Sequence, residues 1–541
     1  MTSTESPSAR WLRPALLLPI GAALVLHSLV YDFVCDDAFI SFVYARNLAE
    51  HGQLVFNLGV DPTVAAGVDR AFAEPVEGFT NLLYTLLLAG LMKLGAAPEL
   101  TSRLLGTLFG LGTLVVTLRL MELVRGRASL WDLAPAALLA ASSGFAAWCS
   151  GGLETQMFTL LVVLALHELL ADRHGAAGLA LGAAALTRPE GLLVAGLVVL
   201  HRFATNLLVE RRLRPTRTEW RFAIALLGVV LPALAWRWSY YGWPLPNTAY
   251  VKAGVPAGLG SAALRQHAVV ERELLAQGLF YVWQWAWQSK ALLALPLVVV
   301  AVVRHRRFAS LALLLLTVWL AYAVKVGGDF MGLHRFVMPL FVLVALLASL
   351  GAAALVERLP ARARPLAVAA ALALLALFGF SQARLTRRSL VPVADHGIDR
   401  PGYLAQYADD RALVGRALAP HLRPDDFSFV GGVGVQPYYA RMRAYDVFGL
   451  VSEEIAHTVM PTRPRPGHQK WAPAELVLRY RPTFIFHCYA LHRDPARYQL
   501  GCGELSAFRA AGYAPVTLFV PGAREDAQYY SFLKHRDRAW P

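Results

Sequence analysis

Between residues 14 and 380 the chain alternates long apolar runs with short polar gaps. A membrane helix needs about 20 consecutive apolar residues, range roughly 17–25. The runs near 14–34, 102–122, 131–149, 155–171, 175–187, 191–204, 220–240, 286–303, 308–324, 336–356 and 365–380 predict about 11 spans on that scale. The gaps alternate in character. One set is basic: Arg125 and Arg127, Arg173 and His174, the Arg202–Arg221 stretch with six Arg, Arg304–Arg307, and Arg358, Arg362 and Arg364. The other holds Gly, Pro, acids and amides: GGLET (151–155), LTRPEG (186–191), PNTAYVK (246–252) and GGDFMGLHRF (327–336). Basic gaps mark the cytoplasmic face. Arg10 and Arg13 precede the first run, so it leaves the cytoplasm and delivers Asp36 outside. It reads as an uncleaved anchor rather than a signal peptide, because no small-residue cleavage site precedes Asp36 and more spans follow. An odd number of spans then puts the polar segment 381–541 on the outer face. The run 80–96 contains Lys93 and is short for a span. It fits an interfacial or re-entrant helix of the outer face, since counting it as a span would turn Arg125 and Arg127 outward.

Composition narrows the class. Hydrophobic residues make up 56% and charged residues 16%, against a usual charged share of about 25%. A disordered, collagen-like or ordinary cytosolic protein is excluded. The net charge of +14 falls mainly in the basic gaps, where it sets orientation and does not signal nucleic acid. Cys35, Cys149, Cys488 and Cys502 show neither metal-ligand spacing nor a dense disulfide framework; on an oxidising face Cys488 and Cys502 could pair. From Ser381 to Pro541 charge returns, and the β-like runs DFSFVGGV (426–433) and PTFIFHCY (482–489) alternate with helix-like stretches such as 471–479. The expected organisation is a polytopic α-helical membrane domain over 1–380, with a first outer loop at 32–79, and an extracytoplasmic α/β domain over 381–541. Gly431, Gly432 and Gly434 match neither GxGxxG nor a Walker loop, and a plain strand-to-turn junction accounts for them.

The candidate chemistry lies in the outer gaps. The first loop carries eight acids against Arg46 and Arg70, and Asp36-Asp37 opens the amphipathic stretch 38–51. One Asp suffices to cap a helix; a second adds repulsion, which also suits a general base or a divalent-ion ligand. Both readings stand. EPVEG (74–78) with FTN (79–81) reads either as a turn into a capped helix or as a second acidic feature. Glu154 and Glu190 lie at predicted outer helix ends, with Arg188 a structural partner for Glu190. Ionisable residues at that depth also lean towards function. Lys252, His334 and Arg335 are cations on a face that disfavours them. Phosphate oxygen is one natural partner, first-loop acids another, and Asp329 could cap a helix, touch a ligand or pair with Arg335. The cluster YVWQWAW (281–287) marks a membrane–water boundary, with a sugar platform as the lesser reading.

DDAFISFVYARNLAEHGQLVFN (36–57), EPVEGFTNLLYTLL (74–87), LTRPEG, PNTAYVKAG (246–254), GGDFMGLHRFVMPL (327–340) and YDVFGLVSEEIAH (445–457) occur in that order. This order resembles the bacterial membrane glycosyltransferases of GT-C architecture, in the branch containing the mycobacterial terminal β-(1→2)-arabinofuranosyltransferase. The resemblance implies a polyprenyl-phosphate-linked sugar donor, arabinofuranose or another pentose or hexose, consumed on the outer face of the cytoplasmic membrane. The acceptor would be an envelope glycan or glycolipid. An Asp of the first loop, Asp36 or Asp37, would be the base of an inverting transfer. Candidates for donor-phosphate and substrate contacts are Arg335, His334, Lys252, Arg188, Glu77, Asn81, Asn247, Asp329, Glu154 and Glu190. A divalent cation (Mg, Mn or Ca), if one is used, would sit on Asp36 and Asp37; no other cofactor is expected. Two other classes remain. A transporter or flippase for lipid-linked sugars would place its polar residues near mid-membrane, and a non-enzymatic envelope or motility-assembly protein could retain the fold. The orientation is open to test: a Cys introduced at position 80 or 330 should react with an impermeant label from outside, and one at 212 should not.

Overall fold

A computed structural model describes residues 7–58, 75–252, 261–458, 460, 463, 465–486, 490–496 and 505–540, without the side chains of 7–11, 252 and 261–267. The chain forms two compact units, neither of them one continuous segment. The first joins 1–33, 99–233 and 274–403; the second joins 34–98, 234–273 and 404–541.

Among the described residues, seven helices are long and apolar enough to cross a membrane, and up to nine if two bent pairs each count as one span. The chain is a multi-pass membrane protein. The count falls below the predicted eleven for identifiable reasons. The run 131–149 is broken at Ser142, whose extended backbone separates Ala134–Ala141 from Ser143–Ser150 with a bend of 65°. The run 286–303 is broken at Lys290, which sits at φ 58 between Ser261–Gln288 and Ala291–Arg304; that bend is 78°. The helices Thr155–Leu170 and His174–Thr187 have 16 and 14 residues. At about 1.5 Å per residue the second reaches only about 21 Å, short of a hydrocarbon core of about 30 Å.

Glycines let the helices of the first unit touch backbone to backbone. A Cβ on Gly351 would lie 2.0 Å from the Leu297 carbonyl oxygen, and one on Gly106 would lie 2.2 Å from that of Cys149. Such small-residue contacts substitute for the hydrophobic drive that lipid removes. Residues from three of the basic regions also meet. Arg13 pairs with Asp132 at 3.1 Å and Glu122 at 3.0 Å, and Arg125 with Asp132 and Glu357, both at 2.6 Å. In the aromatic cluster, Tyr281 and Trp285 point inward while Trp283 and Trp287, also four apart, are exposed and stacked.

The second unit is built on a five-stranded sheet. Its strands are β3 (Phe427–Val430), β4 (Arg443–Asp446), β5 (Phe484–Phe486), β6 (Tyr513–Phe519) and β7 (Tyr529–His535), in the order β4-β3-β5-β7-β6. The two-residue strands β1 (Ala394–Asp395) and β2 (Ile398–Asp399) form a separate hairpin in the first unit. Strand β3 runs parallel to β4 and β5, whereas β7 is antiparallel to β5 and β6. All four residues of β3 are buried, as in a strand covered on both faces, and Ser428 is its one polar side chain. The Asp36–His51 helix shares this core: Ile40, Val43, Tyr44 and Phe79 cluster with Leu418, Val430, Phe486 and Phe532. The Leu82–Lys93 helix has 12 residues, about 18 Å of rise, short of a hydrocarbon core of about 30 Å. Cys488 and Cys502 lie outside the described residues. Phe330 is buried, so the labelling test of orientation rests on position 80.

Close helix crossing gives a stability test. Gly351→Ala should cost about 1–3 kcal/mol through overpacking and lower the thermal unfolding midpoint in detergent. Gly228→Ala, which meets nothing within 4 Å, should leave it unchanged or raise it.

Candidate active site

The Asp36–His51 helix begins after Cys35, which is the N-cap and makes no side-chain cap hydrogen bond. Asp36 and Asp37 therefore fill the first turn, where their charge suits the helix dipole. The Asp36 carboxylate turns to the sheet instead: Oδ1 accepts the Val435 N–H at 2.8 Å, and the Gly434 N–H also bonds it. A Cβ on Gly434 would lie 2.0 Å from the Asp36 carbonyl oxygen, so the turn after β3 needs glycine there in order to reach the acid. The glycine-rich junction at 431–434 thus seats a carboxylate. Arg411 adds positive charge; it is buried, donates to Gln436 at 2.5 Å and Tyr530 at 3.1 Å, and lies against the Tyr407 ring. Burial nevertheless raises the Asp36 pKa above the usual carboxylate range, against the pull of these partners.

Asp446, at the end of β4, is the functional candidate that residue-by-residue reading missed. It is fully buried and accepts the Phe448 and Leu450 N–H groups at 2.9 and 2.7 Å. Burial pushes its pKa up to about 7; the charges of Asp36 and Asp37 add to the rise, and the two amides oppose it. Three acids from segments some 400 positions apart therefore share one electrostatic neighbourhood. The available signal was an Asp closing a strand before a Gly-containing turn, which is ordinarily read as turn chemistry.

Glu77 is buried beside Arg237 at 2.7 Å, and burial raises its pKa to about 7 against that charge. The Glu77 carbonyl accepts the Asn247 N–H, and the Asn247 side chain reaches the Gly449 carbonyl and His457. Tyr44 donates to the Val76 carbonyl and accepts from the Gly78 N–H. The segments EPVEG, PNTAYVK and YDVFGLVSEEIAH are thus knotted together within the second unit. Asn81 accepts from Ser41 and Thr85, both at 3.0 Å, pinning the two loop helices. The Lys252 side chain lies outside the described residues.

The remaining candidates belong to the first unit. Arg188 bridges Glu154 at 2.9 Å and Glu190 at 3.2 Å, so its pairing extends beyond Glu190. Arg335 pairs with Asp329 at 2.6 Å and stands over the Trp148 ring. The two arginines are close enough to feel each other's charge. His334 sits at φ 63 and is buried, with Nε2 3.0 Å from the Gln288 side-chain oxygen. Among the described residues no group of three His, Cys, Asp or Glu is placed to hold a metal ion.

Comparison with known proteins defines the class of fold. The chain is similar to the crystal structure of ArnT from Cupriavidus metallidurans bound to undecaprenyl phosphate, with a TM-score of 0.54 and 14% identity over 97% of this chain and 98% of that one. The apo form of the same protein gives 0.54 and 15% over 99% and 100%. The fold is therefore the GT-C membrane fold. An Archaeoglobus fulgidus oligosaccharyltransferase matches at 0.47 and 11% identity, covering 82% of this chain and 66% of that one. The arabinofuranosyltransferase AftD from Mycobacteria matches at 0.41 and 16%, covering 82% and 33%. Residues 400–533 match a family described as a domain of unknown function (DUF8728). No curated protein matches the chain by sequence.

The raised acids set a pH dependence. Folded Asp446 and Glu77 keep their protons up to about pH 7, whereas an unfolded chain releases them near 4. The folded state binds more protons in that window, so stability should fall as pH rises from about 4.5 to 7 and level off above. A pH series of thermal unfolding should show this, with a smaller slope in Asp446→Asn.

Proposed function

We propose that the protein is a glycosyltransferase that moves a sugar from a polyprenyl-phosphate donor to a hydroxyl of an envelope glycan or glycolipid, with inversion, on the outer face of the cytoplasmic membrane. One observation carries this reading. One member of the first-loop acid pair, Asp36, is anchored on the turn after β3, in a chain whose fold follows nearly end to end that of a protein crystallised with undecaprenyl phosphate.

In this reaction a carboxylate takes the acceptor hydroxyl proton as that oxygen attacks the anomeric carbon. The bond from that carbon to the phosphate oxygen breaks, and the electron pair leaves with the polyprenyl phosphate. Asp36 has its carboxylate already committed to the Val435 N–H of the turn after β3, which holds it in place there. That favours Asp37 as the base and Asp36 as the group that fixes its position. The leaving phosphate needs cationic donors; Arg188, Arg335 and Lys252 are the candidates. The planar guanidinium of an arginine can hold its acid on one edge and present N–H donors on another.

A polar chain through the helix breaks favours the transporter as the second reading. His27 meets Thr386, which meets Ser143. Ser143 meets Gln382, which donates to the Gln288 carbonyl, and the Gln288 side chain reaches His334. Polar groups at broken helices are a transporter feature.

Reconstitution with a polyprenyl-phosphate sugar separates the two. Asp37→Asn should lower transfer by about 10²–10⁴-fold with membrane insertion intact, and Asp36→Asn should lower it less. Near wild-type transfer by the double variant, or movement of intact donor across the bilayer with no glycosidic product, would reject the proposal.

A further inference from the structure

A cavity of about 250 Å³ lies in the second unit, lined by parts of the Asp36–His51 helix and residues 56–58 together with the chain about β3 and β4. Four arginines face it: Arg46, Arg423, Arg441 and Arg443. The one acid in its lining, Asp426, is already held by Arg538 at 2.9 and 2.8 Å. Arg441 has Glu50 3.6 Å away, and Arg46 donates to the Tyr438 carbonyl at 2.9 Å while lying over that ring. Among the described residues, no hydrogen bond or ion pair engages the guanidinium of Arg423 or Arg443.

Like charges gathered on a concave wall draw anions, and a guanidinium fork matches the oxygens of phosphate or carboxylate. Ser428 supplies an independent sign. It is 1% exposed, it lines the same cavity, and its hydroxyl has no hydrogen-bond partner. A buried hydroxyl left unpaired is costly, and a ligand oxygen would remove that cost. The rest of the wall includes Phe56, Met442 and Pro437, apolar surface suited to the C–H faces of a sugar ring. The volume lies just below the roughly 300–1,000 Å³ of pockets for drug-sized ligands, so it suits a single saccharide unit.

We infer that this cavity is a binding site for a monosaccharide unit bearing an oxyanion, either a phosphate ester or a uronate carboxylate, with Arg423 and Arg443 as its anion contacts and Ser428 as a hydrogen-bond donor to it. The inference does not depend on the transfer reaction.

Calorimetric titration of the full chain in phosphatidylcholine nanodiscs tests it, with glucose 6-phosphate, glucuronate, glucose and inorganic phosphate as probes. Glucose 6-phosphate or glucuronate should bind at least about tenfold more tightly than glucose or inorganic phosphate, and more weakly as salt rises. Binding of the phosphate ester alone, the uronate alone or both identifies the anion, and each supports the site. The Arg423→Gln/Arg443→Gln variant should lose at least about tenfold in affinity without a change in unfolding midpoint, and Ser428→Ala should lose several-fold. Asp37→Asn should bind as wild type, which separates this site from the transfer chemistry. Failure of both anionic sugars to bind, equal binding of glucose or inorganic phosphate, or unchanged affinity in the double Arg variant would overturn the inference.

Discussion

The second unit depends on one half-buried carboxylate meeting two backbone amides. Removing Asp36 from water is tolerable only where N–H donors replace the lost hydration, and the amides of residues 434 and 435 supply them. That contact ties the start of the first loop to the turn after β3, 399 positions along the chain. It fixes the direction in which the Asp36–His51 helix leaves, and so the place of Asp37. It also explains the glycine at 434, since any side chain there would collide with the Asp36 backbone. The raised pKa of Asp446 follows from the same packing, because the sheet buries this third acid and brings it toward the charges of the pair.

Charge compensation organises the first unit in a comparable way. Arg188 and Arg335 carry cations into a bundle of apolar helices, and each arrives with acids: Glu154 and Glu190 for one, Asp329 for the other. Unpaired, such groups would be strongly unfavourable at that depth, and the neighbouring acids offset that cost. At the Ser142 and Lys290 breaks, exposed backbone polar groups need side-chain partners. Gln382 answers this at both places, accepting from the Ser143 N–H and donating to the Gln288 carbonyl.

Several residues of the candidate site stand out in the sequence. The Asp36-Asp37 pair stood out because two acids exceed what a helix cap needs, and Arg188 beside Glu190 because charges are rare near membrane depth. Asp446, Arg237 and Arg411 were not legible as site residues. An Asp before a turn, an Arg near the end of an apolar run and an Arg inside an amphipathic helix each have ordinary local explanations. Their roles arise only from neighbours brought near by folding. The broken runs at 131–149 and 286–303 escaped for a related reason: hydropathy measures length and apolarity, while a bend at Ser142 or Lys290 is set by the partners that accept the freed backbone groups.

The sequence alone determined that this chain is solvated by lipid, because too few charges exist to cover its surface, and that strand-like runs lie in its polar C-terminal third. It also determined which gaps alternate, since charge placement is written residue by residue. Tertiary structure decided which distant polar groups share a site. Burial shifts a pKa only through what surrounds the group, and those surroundings come from segments that periodicity and composition treat as unrelated.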